Sequence, residues 1–168
     1  MDTTTFLSLA LSCAPNVHAA TASALVHVES GSNPWAIGVV GGALERQPKT
    51  RAEALATARA LQAQRWNFSV GLGQINVGNF ERLGLTLETA FDACTNLAAM
   101  QTVLSECFDS ARQRDPTRPA QTALRRALSC YYSGNFNTGF EHGYVQKVLA
   151  AASPAVRALP PVQPKEKS

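Results

Sequence analysis

The stretch LVHVESGSNP, residues 25–34, organises the rest of the chain. Apolar residues recur at helical spacing up to it and a polar turn follows, so the pattern predicts a helix ending at Glu29 or Ser30. Glu29 then lies on or beside an otherwise apolar face, where desolvation favours the protonated carboxyl. A glutamate with a pKa raised to ~6–7 can act as a general acid near neutral pH. For this stretch alone, the alternative is a solvated glutamate at a frayed helix end.

The composition limits the classes of protein to be considered. The 168 residues are 45% apolar and 16% charged, which is typical of a globular domain with a real core. The net charge is +3 and the basic residues are scattered, so we expect no nucleic-acid binding. No apolar run is long enough for membrane insertion. Residues 6–14 are apolar, but Asp2 replaces the basic flank of a secretion signal, so we predict a first helix here, with signal cleavage as the alternative.

Helical periodicity dominates the chain, and extended segments are few. Helices are predicted over residues 3–12, 16–30, 50–65, 94–114, 119–134 and 144–152, with short helical turns at 79–83 and 86–91. The sequence TRAE at residues 50–53 is a capping box. Residues 35–40 and 67–79 are predicted to be extended and 139–143 to be a loop. The fold class is therefore α+β, predominantly α-helical, with one domain over residues 1–152 and a flexible proline-rich tail over 153–168.

Residues 67–79 alternate apolar residues with glycines and amides. In an extended segment Gln74 and Asn76 project on the same side. Amides in this arrangement suit the hydroxyl and acetamido groups of a sugar. The alternative is a surface hairpin whose amides bond to their own backbone. The glycines of residues 31–42 lack the spacing of a phosphate-binding loop, so the wall of a groove is the better interpretation of that segment.

Four cysteines are present, at positions 13, 94, 107 and 130, and none forms a C-x-x-C motif, so we expect no zinc site. Cys94 and Cys107 fall on one predicted helix and would lie ~20 Å apart, which exceeds the ~7 Å limit for a disulfide. Cys107 and Cys130 fall on successive helices. We therefore predict the pairs Cys107–Cys130 and Cys13–Cys94, with four buried free thiols as the alternative.

Three motifs, in this order, resemble the lytic transglycosylases with a goose-type lysozyme-like SLT domain. They are Glu-Ser at 29–30, GLGQIN at 71–76, and YYSGN at 131–135 with a later Tyr-Val at 144–145. The similarity is greatest to the form that accompanies type IV secretion and conjugation systems. It covers roughly residues 13–150, and it implies a lysozyme-like domain that acts on peptidoglycan glycan strands.

The resemblance also implies roles for the matching residues. Glu29 is the implied catalytic acid and base. The implied substrate-binding residues are Ser30, Gln74, Asn76, Tyr131 and Tyr144. Two positions depart from the family pattern: Gly73 replaces a methionine of the groove wall, and Tyr132 replaces an asparagine. Residues 38–66 form a long insert between Glu29 and the GLGQIN motif.

We therefore expect a periplasmic, monomeric peptidoglycan lytic transglycosylase that opens the cell wall for a type IV secretion or conjugation apparatus, with secretion-channel proteins as further partners. The two later motifs contain no second carboxylate, which fits a substrate-assisted reaction needing neither metal nor cofactor. One alternative is a lysozyme of the same fold, with Asp92 or Glu141 as second carboxylate. The other is a non-catalytic partner that grips peptidoglycan or the secretion channel.

Overall fold

The computed structural model describes residues 3–152, so the predicted tail at 153–168 lies outside the described residues. The helices are α1 Thr3–Cys13, α2 Ala19–Ser30, α3 Arg51–Ala63, α4 Phe80–Leu83, α5 Leu87–Ala90, α6 Ala93–Arg114, α7 Ala120–Ser133, α8 Thr138–Glu141 and α9 Tyr144–Ala152. The strands β1 Ile37–Val39, β2 Phe68–Val70 and β3 Ile75–Asn76 form one antiparallel sheet in that order. The predicted fold class, α+β and predominantly helical, is confirmed.

Local chemistry explains where the helices begin and end. α2 begins at Ala19 rather than at residue 16 or 17, because the imidazole of His18 accepts the N–H of Ala20 (3.3 Å) and so caps the helix. It ends at Ser30, where Gly31 adopts a left-handed conformation (φ +59°). The capping box at α3 holds in part: Thr50 accepts the Glu53 N–H (3.2 Å), but the Glu53 carboxylate bonds to the N–H of Lys49. The loop predicted for 139–143 is wrong in part, since Thr138–Glu141 form α8.

The long helix α6 is the centre of the core. Its residues Leu97 and Met100 are fully buried, α7 packs along it, and α1 and α5 also contact it. A second helix pair, α2 with α9, packs beside this one. Within residues 3–152, no helix combines the length and the apolar character needed to cross a bilayer. The two helix pairs and the small sheet fix the ends of α2, α7 and α9 relative to one another.

Two disulfides fasten α6 to its neighbours. Cys13 of α1 pairs with Cys94 at the start of α6, and Cys107 of α6 pairs with Cys130 of α7, with Cα–Cα distances of 5.2 and 5.7 Å. The structure therefore contains both pairings that the cysteine positions predicted. Cys130 directly precedes Tyr131, so the second bridge lies beside one of the predicted site residues.

Candidate active site

A cleft of about 660 Å³ opens between the C-terminal end of α2, the small sheet and the C-terminal end of α7. Its lining residues are Glu29, Gly38, Val39, Val40, Ser69, Gln74, Ile75, Asn76, Gly78, Asn79, Val103, Tyr131, Tyr132, Ser133 and Gly134. The insert at 38–66 contributes to it through the end of β1. The cleft thus brings together residues from all three sequence motifs.

Glu29 is partly buried at the last turn of α2, and the hydroxyl of Tyr144 donates a hydrogen bond to its Oε1. Burial raises the pKa of Glu29 to about 7, against the hydrogen bond from Tyr144, which lowers it. The side chain is therefore largely protonated just below neutral pH and can release its proton close to neutrality. These are the properties that a general acid and base needs.

Both predicted tyrosines lie near this carboxyl. Burial, and then the proximity of Glu29, raise the pKa of both Tyr131 and Tyr144 above the ordinary value, so both phenols stay protonated. Tyr144 is buried at the start of α9 and donates to Glu29. Tyr131 lines the cleft, but its hydroxyl donates to the carbonyl of Gly73. This bond fixes the position of residues 71–76, the groove segment.

The groove segment is less extended than its sequence predicts. Gln74 has a left-handed backbone (φ +49°) and precedes β3, so the extended segment that the prediction required does not include Gln74, although Gln74 and Asn76 both line the cleft. The amide nitrogen of Gln74 donates to the carbonyls of Ala36 (3.1 Å) and Gly71 (2.9 Å). A Cβ at Gly38 would lie 2.6 Å from Gln74 Oε1, so that glycine makes room for the amide.

Asn76 is held by its own neighbours. Its amide nitrogen donates to Asn67 Oδ1 (2.7 Å) and Ser69 Oγ (3.3 Å), and its Oδ1 accepts the N–H of Gly78 (2.9 Å). The alternative interpretation, in which these amides stabilise their own hairpin, thus describes part of their role. Both side chains still line the cleft. The protein forms no hydrogen bond to Gln74 Oε1 within the described residues, so this oxygen can accept one from a ligand.

Ser30 does not join the cleft. Its hydroxyl donates to the carbonyl of Val26 (3.0 Å), one turn back in α2, and the residue is absent from the cleft lining. Among the described residues its side chain forms no hydrogen bond with the Glu29 carboxyl, and the substrate-orienting role that the resemblance implies for Ser30 stays a prediction. The serine instead bonds to the last turn of the helix that carries Glu29.

The two residues that depart from the family pattern, Gly73 and Tyr132, lie in different surroundings. A Cβ at Gly73 would lie 2.9 Å from Met100 Cβ and 3.0 Å from the Tyr131 hydroxyl, so a larger side chain would collide with both. Met100 and Tyr131 therefore fill the space beside Gly73. The second departure, Tyr132, lies in the cleft wall and stays 45% exposed.

Sequence reasoning missed Asn96, a buried residue whose side chain forms hydrogen bonds with the backbone of the groove segment and its neighbours. This asparagine is fully buried in α6; its Oδ1 accepts the N–H of Gly73 (2.8 Å) and its Nδ2 donates to the carbonyls of Val70 (3.0 Å) and Ala90 (2.8 Å). Gly71 (φ +79°) passes so close that a Cβ there would lie 2.2 Å from Asn96 Nδ2. The available signal was a polar residue on the inner face of an apolar helix.

The two candidate second carboxylates lie outside the cleft. Asp92 caps α6, where its Oδ1 accepts the backbone N–H and the hydroxyl of Thr95 (both 2.8 Å), and these bonds lower its pKa. Glu141 is exposed at the end of α8. Among the described residues that line the cleft, Glu29 is the only carboxylate.

A helix-rich α+β domain with one partly buried glutamate at a cleft between its helices and a small sheet is of the lysozyme-like class. The model of the transglycosylase SLT domain family matches residues 6–152. The chain belongs to that family.

Two similar proteins from different bacteria share the name virB1. Type IV secretion system protein virB1 of Brucella abortus is 47% identical over 159 residues, which cover 92% of this chain and 66% of that protein. Protein virB1 of Agrobacterium tumefaciens is 42% identical over 156 residues, covering 92% of this chain and 63% of that protein. The chain thus spans slightly less than two thirds of the length of these curated relatives. No solved structure matches it.

Proposed function

We propose that this domain is a peptidoglycan lytic transglycosylase that cleaves the β-1,4 bond between N-acetylmuramic acid and N-acetylglucosamine and leaves a 1,6-anhydromuramyl end. One observation carries the proposal: among the described residues that line the cleft there is a single carboxyl, with a pKa of about 7, and the others supply amides, hydroxyls and apolar groups. Membership of the transglycosylase SLT family supports it. The cleft volume lies in the usual range for ligand sites.

In the first step, protonated Glu29 donates its proton to the glycosidic oxygen, and the bond from that oxygen to the muramyl anomeric carbon breaks. The oxygen of the muramyl 2-acetamido group stabilises the positive charge on that carbon. This is substrate assistance, which replaces the second carboxylate of ordinary glycosidases. The Tyr144 hydroxyl, which already donates to Glu29, stabilises the carboxylate that results.

In the second step, the Glu29 carboxylate removes the proton from the muramyl 6-hydroxyl, and that oxygen bonds to the anomeric carbon. The ring closes as the 1,6-anhydro product, and Glu29 returns to its protonated form. Water is not consumed. An acid whose pKa is close to neutral serves both steps because it can give and take the same proton.

The direct test is mass analysis of the products released from purified sacculi. A transglycosylase gives muropeptides lighter by one water than those of a lysozyme. Muropeptides that carry the full water would contradict the proposal and support hydrolysis by the same domain.

A variant pair separates catalysis from binding. Glu29→Gln keeps the shape and can still donate hydrogen bonds, but it cannot transfer the proton, so we expect a loss of cleavage of at least about 10³-fold. Glu141→Gln is the matched control, since it removes an exposed carboxylate outside the cleft. If Glu29→Gln cleaves normally, the assignment fails. If wild type binds sacculi without cleaving them, the domain is a non-catalytic partner.

We further propose that the protein works in the periplasm and opens the wall locally for a type IV secretion or conjugation apparatus. The name of the Brucella relative, a type IV secretion system protein, supports this setting. Deletion of the gene should reduce conjugation or secretion, and a Glu29→Gln copy should fail to restore it. Full restoration by that copy would mean that cleavage is not what the apparatus requires.

A further inference from the structure

Of the two tyrosines in the described cleft lining, Tyr132 is the more exposed to solvent. It is 45% exposed, whereas Tyr131 beside it is partly buried. It lies on the last turn of α7 and lines the same cleft as Glu29. An exposed aromatic ring at position 132 needs an explanation, because the family pattern that the sequence resembles has an asparagine there.

The contacts of Tyr132 lead to the acid in two steps. Its ring stacks on the ring of Tyr144, with centroids 4.5 Å apart and planes at 20°. Tyr144 in turn donates its hydroxyl to Glu29. On the other side, the Tyr132 hydroxyl lies 3.2 Å from Nδ1 of His142, and the two rings meet edge to face at 5.9 Å. His142, Tyr132, Tyr144 and Glu29 therefore form one continuous row of contacts.

The stacked ring has two physical effects. It covers one face of Tyr144, which is only 6% exposed as a result of all its packing, and so limits the access of water to the Tyr144–Glu29 hydrogen bond. It also restricts the rotation of Tyr144, because a second flat ring lies parallel to it. The titratable groups around this hydrogen bond are Tyr131 and Tyr132 of α7, and His142 beyond Tyr132.

We propose that Tyr132 is a positioning residue: its ring holds Tyr144 against Glu29 and keeps water from their hydrogen bond, and His142 fixes that ring in place. This inference rests on the proposed function, because the exclusion of water, rather than the hydrogen bond from Tyr144, keeps the acid of that reaction protonated near neutral pH. Burial raises the pKa of Glu29 by more than the hydrogen bond from Tyr144 lowers it. A less covered site should therefore hold the proton less well.

The test compares Tyr132→Leu, Tyr132→Asn and Tyr132→Phe on soluble glycan strands across pH. Leu and Asn cannot stack, so we expect kcat to fall at least about fivefold and the alkaline limb of the pH profile to move down by about 0.5–1 unit. KM should change less than about twofold, because the change acts through Glu29. Tyr132→Phe keeps the ring and should recover most of the loss. Trp66→Leu is the matched control, an equally exposed aromatic (45%) outside the cleft lining.

Two outcomes would overturn the inference. A raised KM with unchanged kcat and pH limb would mean that Tyr132 contacts the sugar directly. Full activity of Tyr132→Asn would mean that the amide of the related motif is sufficient and that stacking is irrelevant. His142→Gln removes the outer support without touching the cleft lining, and it should shift the pH limb in the same direction by a smaller amount; no shift would contradict the role of His142.

A second readout needs no activity. Titration of the Glu29 carboxyl by ¹³C NMR should give a lower midpoint in Tyr132→Leu than in wild type, and an unchanged midpoint would refute the inference. If wild type cleaves no glycan, the proposed function fails, while this titration still decides whether Tyr132 protects Glu29. The two failures are therefore distinguishable.

Discussion

At the scale of single residues, burial of Glu29 lowers the stability of the folded state at neutral and alkaline pH. The pKa of a glutamate in an unfolded chain is ~4.3, whereas burial raises that of Glu29 to about 7. The native state therefore holds a proton that the unfolded state has released between these two values. Stability falls as pH rises through this window and stays low above it, because the charged form is the one that burial disfavours.

The first prediction is that Glu29→Gln stabilises the protein above pH 7. Glutamine removes the ionisable group while keeping the side-chain volume, so the free energy of unfolding at pH 8 should rise by on the order of 2–3 kcal/mol. At pH 4 both forms are neutral and the difference should be close to zero. Urea unfolding of both proteins at the two pH values measures this. Equal stability at pH 8 would mean that Glu29 is well solvated.

The second prediction concerns the pH dependence of cleavage. The proposed reaction requires protonated Glu29, so cleavage should fall as pH rises through about 7. The hydrogen bond from Tyr144 lowers the pKa of Glu29, so Tyr144→Phe should move this limb to higher pH while reducing the rate. This shift is opposite in sign to that expected for Tyr132→Leu. A downward shift in Tyr144→Phe would show that covering, not hydrogen bonding, is the main contribution of Tyr144.

At the scale of elements, the groove segment is positioned by side chains distant in sequence. Asn96 of α6 bonds to backbone groups on both sides of Gly71, and Tyr131 of α7 bonds to the carbonyl of Gly73. This segment has turn residues at 71–74 and only two strand residues in β3, so it has little hydrogen bonding of its own. Its shape therefore depends on α6 and α7.

The third prediction is that Asn96→Ala destabilises the fold and impairs cleavage together. The change leaves the N–H of Gly73 and two carbonyls without their buried partner, which costs about 2–4 kcal/mol. Thermal unfolding and glycan cleavage measure the two effects. Asn137→Ala is the control, because that side chain is exposed and makes no cap bond; it should stay within about 0.5 kcal/mol. A mild effect at Asn96 would imply that water replaces its bonds.

The sequence was most informative where the determinants are local. The N-cap at Thr50, the stop at Gly31 and the apolar stripe of α6 depend on residues within a few positions of one another, and all three were predictable. The left-handed backbone of Gln74 was not predicted, and its side chain bonds to the carbonyl of Ala36, 38 positions away, which only the folded chain brings near. The bond from Tyr131 to Gly73 spans 58 positions and leaves no periodic trace.

At the scale of the whole molecule, the two disulfides tie α1, α6 and α7 into one unit. They close segments of 81 and 23 residues. In the chain-entropy model these closures are worth roughly 4.5 and 3.5 kcal/mol, respectively. Since a typical domain is stable by only about 5–15 kcal/mol, the bridges matter for folding.

The fourth prediction is that the bridge at α7 also affects the site. Replacement of Cys107 and Cys130 by serine should lower the free energy of unfolding by about 2–4 kcal/mol. It should also reduce cleavage more than replacement of Cys13 and Cys94, because Cys130 adjoins Tyr131. Urea unfolding and glycan cleavage of the two double variants test this. Equal losses of cleavage in both would contradict a local effect on Tyr131.

The final prediction follows from the chemistry of the cleft walls. Although the chain carries a net charge of +3, no lysine or arginine belongs to the cleft lining within the described residues, and Glu29 is mostly neutral at pH 5.5. Screening by salt acts on charges, so the affinity for an uncharged chitin oligosaccharide, measured calorimetrically at pH 5.5, should barely change with ionic strength. A steep salt dependence would point to ionic contacts outside the walls described. A weak dependence would mean that the cleft walls bind such a sugar through shape and hydrogen bonding, because no cationic side chain of the described lining is there to attract an anion.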